Sequence, residues 1–267
     1  MSLIYLQFTN PGSHQTIQLV QNNDFPPRAS SVTRNLQRHQ TFTLTQITPI
    51  VQTLSNDLYR GTLAVPGKDI PIVVKQSRIE GDVLEFVSQL KGEAMVYCRD
   101  LQSCQGEVVP LFYGLYEGNI EGRPLACILL EDCGDPCDDD LKNLDMSIKL
   151  TIFEQFIALH KRAHIFHNET ISSHMLLHQS PNGHSIRIIS FSGGIRSDHQ
   201  CEWSAHLVPG ENRPKEGVSC GELFFLEKDL EIWHNPFFNY KGYILCENDG
   251  EVNLTLQKSE IDASMAM

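Results

Sequence analysis

A lysine at the end of an apolar run is the first residue in this chain whose surroundings demand chemistry. Ile72-Val73-Val74-Lys75 carries an ammonium out of a stretch that reads as a buried strand, and a buried ammonium needs a counter-charge or gives up its proton. Glu93, on the helical stretch that follows, is the natural partner. A lysine held this way presents a fixed cation to an anionic ligand, a phosphate above all. Taken alone, the two residues fit a surface lysine and an ordinary helix glutamate better, because lysines are mostly exposed. The metal-ligand inventory is larger but unorganised. Eight cysteines are scattered along the chain, which favours free, mostly buried thiols. Cys133 and Cys137 form a close pair, yet no matching Cys/His pair lies at zinc spacing, and no HExxH or HxH pattern orders the 11 histidines. No metal is expected.

The elements that must position Lys75 follow from period and punctuation. Thr41–Thr53, Asp57–Val65 and Ile70–Gln76 are β-branched or aromatic runs separated by turn residues, with Pro66-Gly67-Lys68-Asp69 as a hairpin turn. Leu84, Val87, Leu90, Ala94, Tyr97 and Leu101 recur at helical spacing. Two more strands are expected over Val108–Tyr116 and Pro124–Leu130, joined at Glu117-Gly118-Asn119. An acidic, breaker-rich linker follows at Cys133–Asp140, in which Asp138-Asp139-Asp140 reads as a solvated run. Beyond it, Ile148, Ile152, Phe156, Leu159 and Ala163 stripe one helix, with His160 near its end, where an imidazolium suits the dipole. A strand pair is expected at Met175–Leu177 and Ile186–Ile189, turned at Pro181-Asn182-Gly183. A late helix starts at Ser219, where Ser219 and Glu222 fit a capping box.

At 267 residues and 41% hydrophobic, the chain can bury a substantial core. Its net charge of -12 sets it against phosphate backbones and anionic lipid, so nucleic-acid and membrane partners are not expected. No apolar run reaches the roughly 18 residues of a membrane span. The start, Met1 to Phe8, has no basic region ahead of its short apolar run. An intracellular location, cytoplasmic or nuclear, is the expectation.

Order now adds what single residues do not. Ile72-Val73-Val74-Lys75, Gly92-Glu93-Ala94 with Tyr97, Val109-Pro110-Leu111-Phe112-Tyr113-Gly114, Leu129-Leu130-Glu131-Asp132-Cys133-Gly134, His167-Asn168-Glu169 and Ile188-Ile189-Ser190-Phe191-Ser192 succeed one another from Thr41 to Trp233. In that order the chain resembles the protein-kinase-like superfamily, closest to its compact fungal-type and small-molecule-kinase branches. The resemblance implies a bilobal α+β fold, with a five-stranded antiparallel N-lobe bearing one helix and a reduced, mainly helical C-lobe. Residues 1–40 would be an N-terminal extension, 41–132 the N-lobe, 133–146 an acidic hinge, 147–256 the C-lobe and 257–267 a flexible tail. It also implies that Lys75 and Glu93 hold the α- and β-phosphates of ATP, and that Glu131, Asp132 and Cys133 line the nucleotide site.

The departures from the family pattern carry the functional reading. Glu169 stands where the family has the aspartate that accepts the hydroxyl proton, and His174 where it has a metal-binding asparagine. Ser190 stands where it has the aspartate that anchors Mg²⁺. No glycine-rich phosphate loop precedes Lys75; Thr53-Leu54-Ser55-Asn56-Asp57 occupies that turn, and Asp57 would repel phosphate. No Ala-Pro-Glu-like anchor follows. Losing two metal ligands and displacing the base should remove on the order of several kcal/mol of transition-state stabilisation, at about tenfold in rate per 1.4 kcal/mol. The resemblance therefore implies a pseudokinase, a binding or scaffold module with ATP as its candidate ligand and a nucleotide or another protein as its partner. His167 would support the loop rather than react. Two alternatives stay open. One is a divergent phosphotransferase or nucleotidyltransferase with Glu169 as base and Glu131, Asp132 or Asp198 near a metal. The other is an unrelated α+β protein.

Overall fold

The computed structural model describes residues 3–10, 13–26, 41–65, 67–137, 140–180, 183–193, 195–196, 201–203, 220–233, 237–240, 243–246 and 257–258. Its fold is α+β, with a mostly antiparallel sheet and three α-helices among the described residues. The strands β1 (Leu3–Asn10), β2 (Ser13–Gln21), β3 (Thr41–Gln52), β4 (Asn56–Val65), β5 (Lys68–Ser77), β6 (Phe112–Ile120) and β7 (Arg123–Glu131) close into a barrel. Their order is β1-β2-β6-β7-β5-β4-β3, and β1 returns to pair in parallel with β3. The expected five-stranded sheet is thus a seven-stranded one. Pairing of β2 with β6 and of β1 with β3 removes both open edges, which would otherwise expose unpaired backbone groups.

Alternation along the strands sorts the side chains onto two faces. Ile70, Ile72 and Val74 of β5 join Leu125, Cys127 and Leu129 of β7 in the barrel core. Ala126, Ile128 and Leu130 of β7 point the other way, under the helix α1 (Val83–Arg99). This is why β7 reads as a near-continuous apolar run. Lys75 follows Val74, so the period of two turns it out of the barrel core and toward the α1 side, where it pairs in register with Ile128.

Helix α1 starts at Asp82, whose carboxylate accepts from the Glu85 N–H, and it buries Val87, Leu90, Ala94 and Tyr97 together with Glu93. The same apolar cluster continues into α2 (Met146–Ala163) and α3 (Gly221–Leu230). Short strands fill the remainder: β8 (Asp135–Pro136), β9 (Ile165–Phe166), β10 (Met175–Ser180), β11 (Gly183–Ile188), β12 (Ile195–Arg196), β13 (Phe237–Tyr240), β14 (Tyr243–Cys246) and β15 (Gln257–Lys258). Strand β10 pairs with β11 and with β8, so part of the acidic linker is recruited into a small sheet.

Two turns differ from expectation for steric reasons. Glu117-Gly118-Asn119 is strand, not turn, because a Cβ at Gly118 would sit 2.5 Å from the Gln18 carbonyl oxygen of β2. The glycine there serves close strand approach. The reversal falls at Glu121 and Gly122, both at positive φ, as a tight hairpin demands. Between β4 and β5 the pairing closes at Val65 opposite Lys68, so Lys68 and Asp69 are strand residues; Pro66 lies outside the described residues, as do Asp138, Asp139, Pro181, Asn182, Asp198 and Ser219.

Candidate functional site

Lys75 Nζ donates to Glu93 Oε2 at 2.6 Å. The Lys75 side chain is 13% exposed and that of Glu93 3%, so the pair is removed from bulk water and weakly screened. Register holds the lysine, and the buried stripe of α1 holds the glutamate. A column of aromatic rings fixes the helix against the rest of the molecule. Phe112 of β6 stacks on Tyr97 of α1 at 5.8 Å, Tyr97 meets Phe191 edge-on at 5.6 Å, and Phe191 meets His167 at 5.1 Å. Contacts of this geometry add stabilisation beyond the area they bury.

His167 is fully buried, and its Nε2 donates to the Ile189 carbonyl at 2.7 Å, which fixes the tautomer. Asn168 and Ser190, on the two loops joined by this bond, both adopt left-handed backbone, at φ 65° and 73°. Such strain in residues other than glycine persists only where the surroundings impose it. The Asn168 side chain donates to the Gly193 carbonyl at 3.1 Å, closing the loops onto each other.

Glu169 and His174 are brought together as a pair, Oε2 to Nδ1 at 3.3 Å, without hydrogen-bond alignment. Burial lowers the His174 pKa, and the neighbouring charges of His167 and Lys75 lower it further against Glu169. Lys75 and His174 are thus near enough to interact electrostatically.

Glu131, Asp132 and Cys133 sit apart from that cluster. Along β7, Glu131 is three residues beyond the partner of Lys75, a distance of about 10 Å. Glu131 Oε2 accepts from the Leu111 N–H at 3.1 Å, and Asp132 pairs with Arg60 at 2.8 Å. Burial raises the Cys133 thiol pKa, with Glu131 adding to it. The turn at 53–56 is closed on itself: Thr53 N–H donates to the Asn56 carbonyl at 2.8 Å, and Asn56 N–H to Thr53 Oγ1 at 3.0 Å. These amides are spent within the turn.

A second cluster was not foreseen. Glu222, read from the sequence as a capping residue, instead accepts from the backbone N–H groups of His167 at 3.1 Å and Asn168 at 2.5 Å, while His160 Nε2 meets it at 2.5 Å. His160 lies on the buried face of α2, so its role is not that of an exposed cation at a helix end. On its other side, His160 Nδ1 is 3.4 Å from Cys220 Sγ, and Cys201 completes a group whose ligand atoms all lie within 4.8 Å. Burial alone would lower the His160 pKa, but hydrogen bonds to Cys201 and Glu222 outweigh it and raise it. A hydrogen bond from Cys220 holds the Cys201 thiol far below its usual value against burial, and the same bond pushes Cys220 upward. The sequence, read for local Cys/His spacing, carried no sign of this grouping. Zinc-type spacing is a local signal, and these residues come from α2, a distant loop and the start of α3.

No family model matches the chain, and no curated protein matches it either. No helix among the described residues is long and apolar enough to cross a membrane.

Proposed function

We propose that this chain is a bilobal, protein-kinase-like pseudokinase that binds ATP and transfers no phosphoryl group, acting as a binding or scaffold module. The observation that carries the reading is the formed, buried Lys75–Glu93 ion pair. A lysine in this state is a preorganised cation for the α- and β-phosphates, and it costs no reorganisation when they arrive. Residues 131–133 lie about 10 Å along β7 from the Lys75 register position, a separation comparable with the length of a nucleoside.

Metal-dependent chemistry lacks its anchor in this reading. Ser190 cannot supply a carboxylate, and the 53–56 turn has no glycine-rich cradle to offer the γ-phosphate. The contact of Glu169 with His174 keeps one second reading in play, a divergent phosphotransferase with Glu169 as base. ATP turnover that disappears in Glu169→Gln would be its signature.

The test is isothermal titration of ATP into the purified chain, once with excess chelator and once with Mg²⁺ or Mn²⁺, beside an assay of phosphate release. The expected result is binding of equal strength in both buffers and no release. Absence of binding in both buffers, or metal-dependent turnover, would overturn the proposal.

A further inference from the structure

We propose that His160, Cys201 and Cys220 bind a zinc ion, a site separate from the nucleotide cleft. Three features of the geometry argue for it together. The first is spacing. A tetrahedral zinc with bonds of about 2.3 Å to sulfur and about 2.0–2.1 Å to nitrogen sets its ligands roughly 3.5–3.8 Å apart. The Nδ1–Sγ separation of 3.4 Å between His160 and Cys220 is close to such an edge, and the whole set lies within 4.8 Å.

The second is the outer shell. Glu222 Oε2 accepts from His160 Nε2, which leaves Nδ1, on the Cys220 side, as the atom that would ligate a metal once its proton is displaced. A carboxylate behind a histidine in this way orients the ring and raises its basicity toward a metal. The third is the setting of each sulfur. Cys220 occupies the N-cap position of α3 without a side-chain cap hydrogen bond, so its sulfur is not committed to capping the helix. Cys201 stands two residues before Trp203, which packs edge-on against Phe153 of α2 at 4.9 Å and pins the loop.

Two thiolates, one neutral imidazole and a soft ligand set select zinc over magnesium or calcium. On binding, two protons leave to solvent, one from the Cys220 thiol and one from the hydrogen-bonded Cys201–His160 pair, and the two sulfur charges balance the dication. The ion would tie α2, the 201–203 loop and α3 together. Through Glu222 it would also stiffen the His167–Asn168 backbone that Glu222 holds.

The experiment is metal analysis of the full chain purified in reductant without chelator, followed by replacement with Co²⁺. The expected result is about one zinc per chain. With a water completing the three protein ligands, the cobalt form should show thiolate-to-cobalt charge transfer in the near ultraviolet and the visible bands of a tetrahedral ion. Cys201→Ser and Cys220→Ser should lose the metal, Cys98→Ser should keep it, and Glu222→Gln should weaken it roughly 10–100-fold. Should those variants fail to fold, the wild-type cobalt spectrum and a fall in melting temperature on chelation still decide the matter. A metal-free chain whose cobalt form shows no charge transfer, or a Cys201–Cys220 disulfide in its place, would overturn the site. ATP binding is read separately, so neither result stands in for the other.

Discussion

Two buried charged clusters hold this molecule's loops in place, and they are assembled by different routes. Lys75 and Glu93 belong to a strand and to the helix that follows it, so a short stretch of chain brings them to 2.6 Å. Glu222 gathers His160, His167 and Asn168 from α2 and the loop after it, none of them near it in sequence. The first cluster has one donor and one acceptor, and its lysine side chain keeps 13% of its surface exposed. The second uses one carboxylate to satisfy three donors and is closed. A pair of the first kind can lend its cation to a ligand, whereas a hub of the second kind is spent on structure.

That contrast orders the expected effects of substitution. Glu222→Ala strands three donors, two of them backbone N–H groups, and should cost about 5 kcal/mol of folding stability in urea titration. A cost under about 1 kcal/mol would show that the hub is not structural. Lys75→Met leaves Glu93 buried and unpaired and should cost about 3 kcal/mol. Adding Glu93→Leu should recover at least half of that stability while ATP binding stays lost. Recovery of both would remove the lysine from the phosphate site.

Phe191→Leu loosens the ring column between α1 and His167 and should cost about 1.5 kcal/mol, with weaker ATP binding because α1 is less firmly docked. Ser190→Gly relieves a left-handed backbone and should stabilise the chain by about 0.5–1 kcal/mol. A loss instead would assign the Ser190 hydroxyl a partner of its own. The smallest effect is on pH. Burial, with the charge of His167, lowers the folded His174 pKa below its ordinary 6.5, so the unfolded chain binds more protons as pH falls through that value. Stability contributed at neutral pH is then lost on acidification. His174→Asn should flatten this part of the profile between about pH 7.5 and about pH 5.5, read as urea midpoints.

The two clusters also differ in how much the sequence disclosed. Lys75 and Glu93 were legible because each sits on a strongly periodic element whose buried face could be counted off. The aromatic column was half visible: Tyr97 fell on the helical stripe, but nothing local tied it to Phe112 or Phe191. The barrel was missed because closure depends on β2 finding β6 and β1 finding β3, and long-range pairing leaves no periodic trace. Gly118 misled for a related reason. A glycine required by the approach of a distant strand looks identical to one required by a turn. Glu222 looked like an ordinary first-turn glutamate, and only the folded chain shows that it faces the loop before β10.

The most direct test of the Lys75 assignment is labelling with an acyl-phosphate derivative of ATP, whose acyl group passes to a lysine amine beside the bound phosphates and releases ATP. Peptide mass analysis should find Lys75 modified, equally with and without chelator, and protected by excess ATP. Labelling spread over exposed lysines, with Lys75 untouched and no protection by ATP, would contradict the account.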